Sequence, residues 1–190
     1  MLASNNRATV QQALTKLIEM AGAENAEVES VGAVLGCARA YIILKQTPKA
    51  KAQLKRLIGH RWSLEDAEYL EKCWLLLADL YIHQGKSEQA TSLLRTILQH
   101  NNSCIKAFEY MGYLREREQK WTDAAANYEE AWRLSGRRNP SIGYKLAHNY
   151  LKCRKLFDCI DVCHRVIALH PTYPKIKREI LDKARANLRI

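Results

Sequence analysis

Four stretches of the chain repeat one order of large, small and aromatic residues, and this repetition constrains the fold to an array of packed helical hairpins. In the clearest stretch, Glu71 to Cys104, Trp74, Leu77, Ala78, Tyr81, Ala90, Leu94 and Ile97 take the fourth, seventh, eighth, eleventh, twentieth, twenty-fourth and twenty-seventh positions. Two antiparallel helices approach to roughly 8 to 10 Å only where small residues sit at the crossing. Ala78 and Ala90 are those residues. The large residues then fill the space between one hairpin and the next, because a single hairpin cannot bury its apolar face alone.

The same frame extends in both directions. From Val31 it reads Val34, Cys37, Ala38, Tyr41, Ala50, Leu54 and Leu57. From Ile105 it reads Phe108, Met111, Gly112, Ala124, Tyr128 and Ala131, with Arg115 at the aromatic site. From Pro140 it reads Leu146, Ala147, Tyr150, Cys159, Cys163, Val166 and Pro171, with Gly143 in place of a large residue. The starts are 40, 34 and 35 residues apart, against the period of about 34 of tetratricopeptide repeats. The expected fold is therefore all-α, a right-handed superhelical tetratricopeptide solenoid with repeats at 31–64, 71–104, 105–138 and 140–173. The six extra residues before Glu71 read as an N-terminal extension of a first helix, because Ser63 and Asp66 form a capping-box-like pair.

The two ends differ. Residues 174–190 read as a capping helix from Pro174, with Ile176, Ile180, Leu181, Ala184 and Leu188 on one stripe and Lys175, Lys177, Arg178, Asp182 and Arg185 elsewhere. Residues 1–30 read as a partial repeat. Ala13, Leu17 and Met20 have second-helix spacing, and the six residues before Arg7 are too few for a first helix, as in a fragment or short isoform of a longer array.

With 190 residues, 47% of them hydrophobic, and no low-complexity linker, the composition reads as one helical domain. The N-terminus lacks the regions of a signal peptide, and the apolar run Trp74 to Ile82 is interrupted by Asp79, so no membrane insertion is expected and a cytoplasmic setting is. In that setting the six cysteines read as reduced thiols at packing positions rather than disulfides.

Charge is uneven. Residues 1–132 hold 16 basic and 16 acidic side chains, whereas residues 133–190 hold 14 basic and 4 acidic. Such an end serves solubility or meets an acidic partner. Nucleic acid is disfavoured, since no Arg-Gly run, helix-turn-helix or aromatic RNA-binding motif accompanies the charge. The basic residues expected to meet a partner are Arg137, Arg138, Arg154, Lys155, Lys175, Lys177 and Arg178.

No enzyme, cofactor, metal or small-molecule substrate is expected. Gly85-Lys86-Ser87 lacks the upstream glycine and strand of a phosphate loop. Cys163 and His164, adjacent on a helix, point about 100° apart and cannot act as a dyad. His148, Cys153, Cys159 and Cys163 match no compact zinc spacing. Asn101-Asn102-Ser103 fits a glycosylation acceptor, which matters only after secretion.

The first helix of each hairpin lines the concave face of such a solenoid, which places Arg39, Lys72, Asp79, His83, Lys106, Glu109, Tyr113, Glu116, Arg117, Tyr144, His148 and Lys152 on the groove. Of these, Arg39, Asp79, Tyr113, Glu116, Tyr144, His148 and Lys152 are the expected partner-binding residues. Leu35, Arg39 and Leu76 occupy the positions where chaperone-binding repeats clamp a carboxylate, and this argues against that function.

Beyond the generic repeat, LEKCWLLLADLYI, KAFEYMGYLRE, TDAAANYEEAW, NPSIGYKLAHNYLK and above all HPTYPKIKREILDKARANLR resemble the C-terminal end of the tetratricopeptide repeat protein 21 family. These are subunits of intraflagellar transport complex A. The resemblance implies a structural subunit in cilia and at the ciliary base that binds other complex subunits in retrograde transport and receptor entry. The alternative is a free-standing peptide-binding adaptor resembling a co-chaperone.

Overall fold

A computed structural model describes residues 7–21, 30–173 and 175–188. The chain divides into two compact units, residues 1–93 and 94–190. The first holds α1 (Arg7–Ala21), α2 (Val31–Ile43), α3 (Thr47–Lys55), α4 (Ala67–His83) and the start of α5 (Ser87–His100). The second holds the end of α5, then α6 (Ile105–Arg117), α7 (Trp121–Leu134), α8 (Pro140–Lys152), α9 (Leu156–Leu169), a π-helical turn (Lys177–Leu181) and α10 (Asp182–Leu188). No strand occurs among the described residues.

In the first unit α2 packs on α1, α3 and α4, and in the second α7 packs on α6 and α8, and α9 on α8 and α10. Local sequence starts these helices where they start. The Ser30 side chain accepts the Ala33 N–H at 3.4 Å, and Asn139 caps α8 by accepting the N–H groups of Ser141 and Ile142 at 3.0 and 3.4 Å, with Pro140 just inside.

The turn inside each hairpin repeats one backbone shape. Lys45, Gly85, Gln119 and Arg154, each fifteenth in its stretch, have φ of 60°, 73°, 59° and 60°. The residue after each donates its N–H to the carbonyl of the eleventh residue: Gln46 to Tyr41, Lys86 to Tyr81, Lys120 to Arg115 and Lys155 to Tyr150, at 2.8 to 3.0 Å. This is the six-to-one closure that ends a helix with a left-handed residue. The turn thus depends on a backbone carbonyl, and Arg115 serves as well as tyrosine there.

The insertion before the second stretch is only partly helical. The Asp66 N–H does bond to Ser63 Oγ at 3.2 Å, and Ser63 Oγ donates to Asp66 Oδ2 at 3.1 Å. That pair closes a turn, however, and α4 begins only at Ala67. Upstream, α3 gives way to three-residue turns through Leu57 and Ile58. The Leu57 carbonyl accepts both the His60 N–H at 3.3 Å and the Trp74 indole N–H at 3.0 Å, and the Trp62 ring stacks 6.0 Å from Trp74. Leu57 and Trp62, both in the first stretch, thereby help bury Trp74.

Core packing also explains the irregular third and fourth stretches. A Cβ on Gly143 would stand 2.5 Å from Val166 Cγ2 and 2.9 Å from the Trp132 ring. Trp132, from the preceding helix, fills the volume that a large fourth-position residue fills elsewhere. Likewise a Cβ on Gly112 would meet the Tyr128 ring at 2.9 Å.

The C-terminal segment buries most of one apolar stripe. Ile176, Ile180, Leu181 and Ala184 are buried, whereas Leu188 is 39% exposed and leaves the stripe. Pro174 lies outside the described residues. Asp182 donates its N–H to the Lys177 carbonyl, five residues back. This wider turn lets the neighbours Ile180 and Leu181 both face the core, worth roughly 1.5 to 3 kcal/mol per buried side chain. In α1, Val10, Ala13, Leu14 and Ala21 are buried, but Met20 is 67% exposed and does not continue the expected stripe.

Candidate partner-binding surfaces

In the first unit, Arg39 is exposed on α2, where its charge faces Cys73. Burial pushes the Cys73 thiol up to about 12, a rise that Arg39 opposes. Asp79 is half-buried, with His83 Nδ1 2.9 Å from its carbonyl oxygen and 3.6 Å from Oδ2. Lys72 pairs with Glu68 one turn back. Of the clamp positions, Leu35 is buried and Leu76 half-buried.

In the second unit several of the expected groove residues pair with neighbouring side chains. The Tyr128 hydroxyl donates to Glu116 Oε2 at 2.9 Å, while Lys106 and Lys145 donate to the two oxygens of Glu109 at 2.8 and 2.6 Å. Burial works to raise the Glu109 carboxyl, yet its two lysine hydrogen bonds and their charges outweigh this and hold it below the usual range. The Arg117 guanidinium lies 6.0 Å from the Tyr113 ring, and Lys152 Nζ lies 5.6 Å from the Trp121 ring.

Tyr144 is bound by the cap rather than left open. Its hydroxyl donates to Glu179 Oε2 at 2.9 Å, and its ring lies 5.8 Å from Tyr173. Burial, then the Glu179 hydrogen bond, pushes the phenol up to about 12. His148 is half-buried; burial lowers its pKa, with Glu116 and Glu179 opposing and Lys152 and Lys183 assisting. Glu179 thus meets an expected groove residue, a contact the sequence concealed because the repeat frame stops before the C-terminal helix.

The seven basic residues form separate patches. Arg137 and Arg138 precede the N-terminus of α8, whereas Arg154 and Lys155 follow its C-terminus. The 13 residues of α8 set these pairs about 20 Å apart along the helix, well beyond the screening length of about 8 Å. Lys175, Lys177 and Arg178 line a surface recess with Pro171, Thr172, Tyr173 and Glu179.

Among the described residues, no group of three or more His, Cys, Asp or Glu is arranged to hold a metal ion. The six cysteines are free thiols, five of them buried and Cys153 half-buried. Cys159 Sγ donates to the Ala147 carbonyl at 3.2 Å, and sharing a hydrogen bond with Cys159 in a buried site pushes the Cys163 thiol upward. His164 is exposed, its Nε2 3.0 Å from Arg185 Nη2. Gly85 and Lys86 lie in the turn between α4 and α5, and Ser87 is the first residue of α5.

Among solved structures, the chain is similar to the C-terminal part of a repeat-containing protein from Cytophaga hutchinsonii, with TM-score 0.75 and 14% identity over 99% of this chain and 69% of that one. It is also similar to MamA from Desulfovibrio magneticus RS-1, with TM-score 0.70 and 13% identity over 86% and 88%. These likenesses establish the tetratricopeptide fold. Among curated proteins, it is 54% identical over 189 residues to human tetratricopeptide repeat protein 21B and 54% identical to mouse tetratricopeptide repeat protein 21A, covering 100% of this chain. It is 48% identical over 187 residues to the Caenorhabditis elegans homolog. The chain spans 14% of the length of these relatives. The family model described as the tetratricopeptide repeat protein 21 C-terminal ARM domain matches residues 1–185, and the chain belongs to that family.

Proposed function

We propose that this chain is a non-catalytic protein–protein interaction scaffold within intraflagellar transport complex A, acting in retrograde ciliary transport and receptor entry from the cytoplasm and the ciliary base. The observation that carries this reading is the family match across residues 1–185. The repeat fold supports it, since each hairpin presents side chains whose role is contact rather than chemistry. Among the described residues no helix is long and apolar enough to cross a membrane. We read the helices as a partial repeat (1–30), four repeats (31–64, 71–104, 105–138 and 140–173) and a cap (174–190). Partner contact is assigned to Arg39, Asp79, Tyr113, Glu116, Tyr144, His148 and Lys152, and to the basic patches. Affinity purification of the tagged chain from ciliated cells tests the proposal. Recovery of the other complex subunits is expected; recovery of chaperones alone would move the chain to the class of free-standing adaptors.

A further inference from the structure

One edge of the second unit combines an exposed aromatic, a recess and cations. The α6–α7 and α8–α9 turns lie side by side there: Lys152 Nζ sits 5.6 Å from the Trp121 ring, and Gln119, Lys120, Trp121, Thr122, Asp123 and Cys153 line one recess. Phe157, in the first turn of α9, is 79% exposed. Its counterparts in the other three stretches are Pro48, Glu88 and Thr122, so the repeat frame does not call for an aromatic there. An exposed phenylalanine gains little from the fold and gains much by entering a partner's apolar contact.

The electrostatics select the partner. Lys120, Lys152, Arg154 and Lys155 are exposed at this edge. Both α7 and α9 begin here at a lysine, Lys120 and Lys155, with no side-chain cap, so the positive ends of two helix dipoles add to the charge. Three carboxylates accompany them. Glu118 is held between Arg115 and Lys120 at 2.8 and 3.0 Å, and Asp123 and Asp158 stand in the first turns of α7 and α9, where the helix ends favour them.

We propose that this edge docks an acidic protein segment that carries an apolar anchor, with the anchor against Phe157 and the Trp121 recess and the acids against Lys152, Arg154 and Lys155. A bilayer or nucleic acid presents a continuous sheet or line of negative charge, which Asp123 and Asp158 repel. A peptide can set its acids between them. The inference rests on the protein-binding reading given above and specifies the partner's chemistry.

The probe is a synthetic peptide of glutamates and aspartates around a central Leu-Phe pair, titrated into the whole chain while the Trp121 indole N–H is followed by NMR. Saturable binding that weakens with salt and shifts the Trp121 signal is expected. Phe157→Ser, and separately Arg154→Glu with Lys155→Glu, should each weaken it by about tenfold or more with unchanged melting temperature. Absence of binding, or binding indifferent to Phe157→Ser, overturns the inference. So does tighter engagement of phosphatidylserine vesicles or single-stranded DNA through the same residues. A chain that binds the peptide but recovers no ciliary subunits sinks only the ciliary reading, and the converse sinks only this one.

Discussion

Two glycines show how one residue's identity is fixed by a neighbour's bulk. Gly143 lies against Trp132 and Val166, and Gly112 against the Tyr128 ring. Gly143→Ala is expected to destabilise by about 1 to 3 kcal/mol through overpacking. Trp132→Leu in the same chain should recover part of that loss, and a double-mutant cycle read by chemical denaturation measures the coupling. Strict additivity would show that Trp132 does not occupy the missing volume. At the hairpin turns the opposite change helps. Gln119 holds φ of 59°, a conformation that costs a side-chain-bearing residue about 1 kcal/mol or more. Gln119→Gly should therefore raise stability, by less than about 1 kcal/mol once the looser unfolded chain is counted. Thermal melts of the two proteins check it. The turn position was legible in Gly85 but not in Lys45, Gln119 or Arg154, because what the turn requires is a backbone bond that any residue can make.

At the scale of elements, periodicity located the helices because the buried positions must recur for hairpins to stack. Ala90, fully buried on α5, is the sharpest case: Ala90→Leu should cost about 1 to 3 kcal/mol, visible as a lowered denaturation midpoint. Polar links between helices were not legible, since no repeat spacing encodes them. Glu109 on α6 receives Lys145 of α8 and Lys106 of its own helix. Its carboxyl is held below the ordinary 4.5, so its contribution is present above that value and is lost as pH falls through the lower folded value. Glu109→Gln should cost about 1 to 2 kcal/mol near neutrality, and the difference from the native chain should vanish on acidification below the folded value. A constant difference across pH would remove the ion pairs from the account. The π-helical turn in the cap was hidden for a similar reason: Ile180 and Leu181 look like ordinary neighbours until both must be buried.

For the whole molecule, the sequence exposed the excess of positive charge in residues 133–190 but not its division, because only the fold sets Arg137 and Arg138 at one end of α8 and Arg154 and Lys155 at the other. On the function proposed above, this chain binds protein partners and uses that charge in doing so. The most direct measurement is the affinity of the purified chain for purified subunits of intraflagellar transport complex A at low and moderate salt. It should be made for the native chain, for Arg154→Glu with Lys155→Glu, and for a control, Lys16→Glu with Lys55→Glu, both exposed in the electrically balanced half. Binding should weaken as salt rises, with a loss of about tenfold or more in the first variant and little change in the second. Absence of binding, or equal losses from the two variants, would contradict the proposed function.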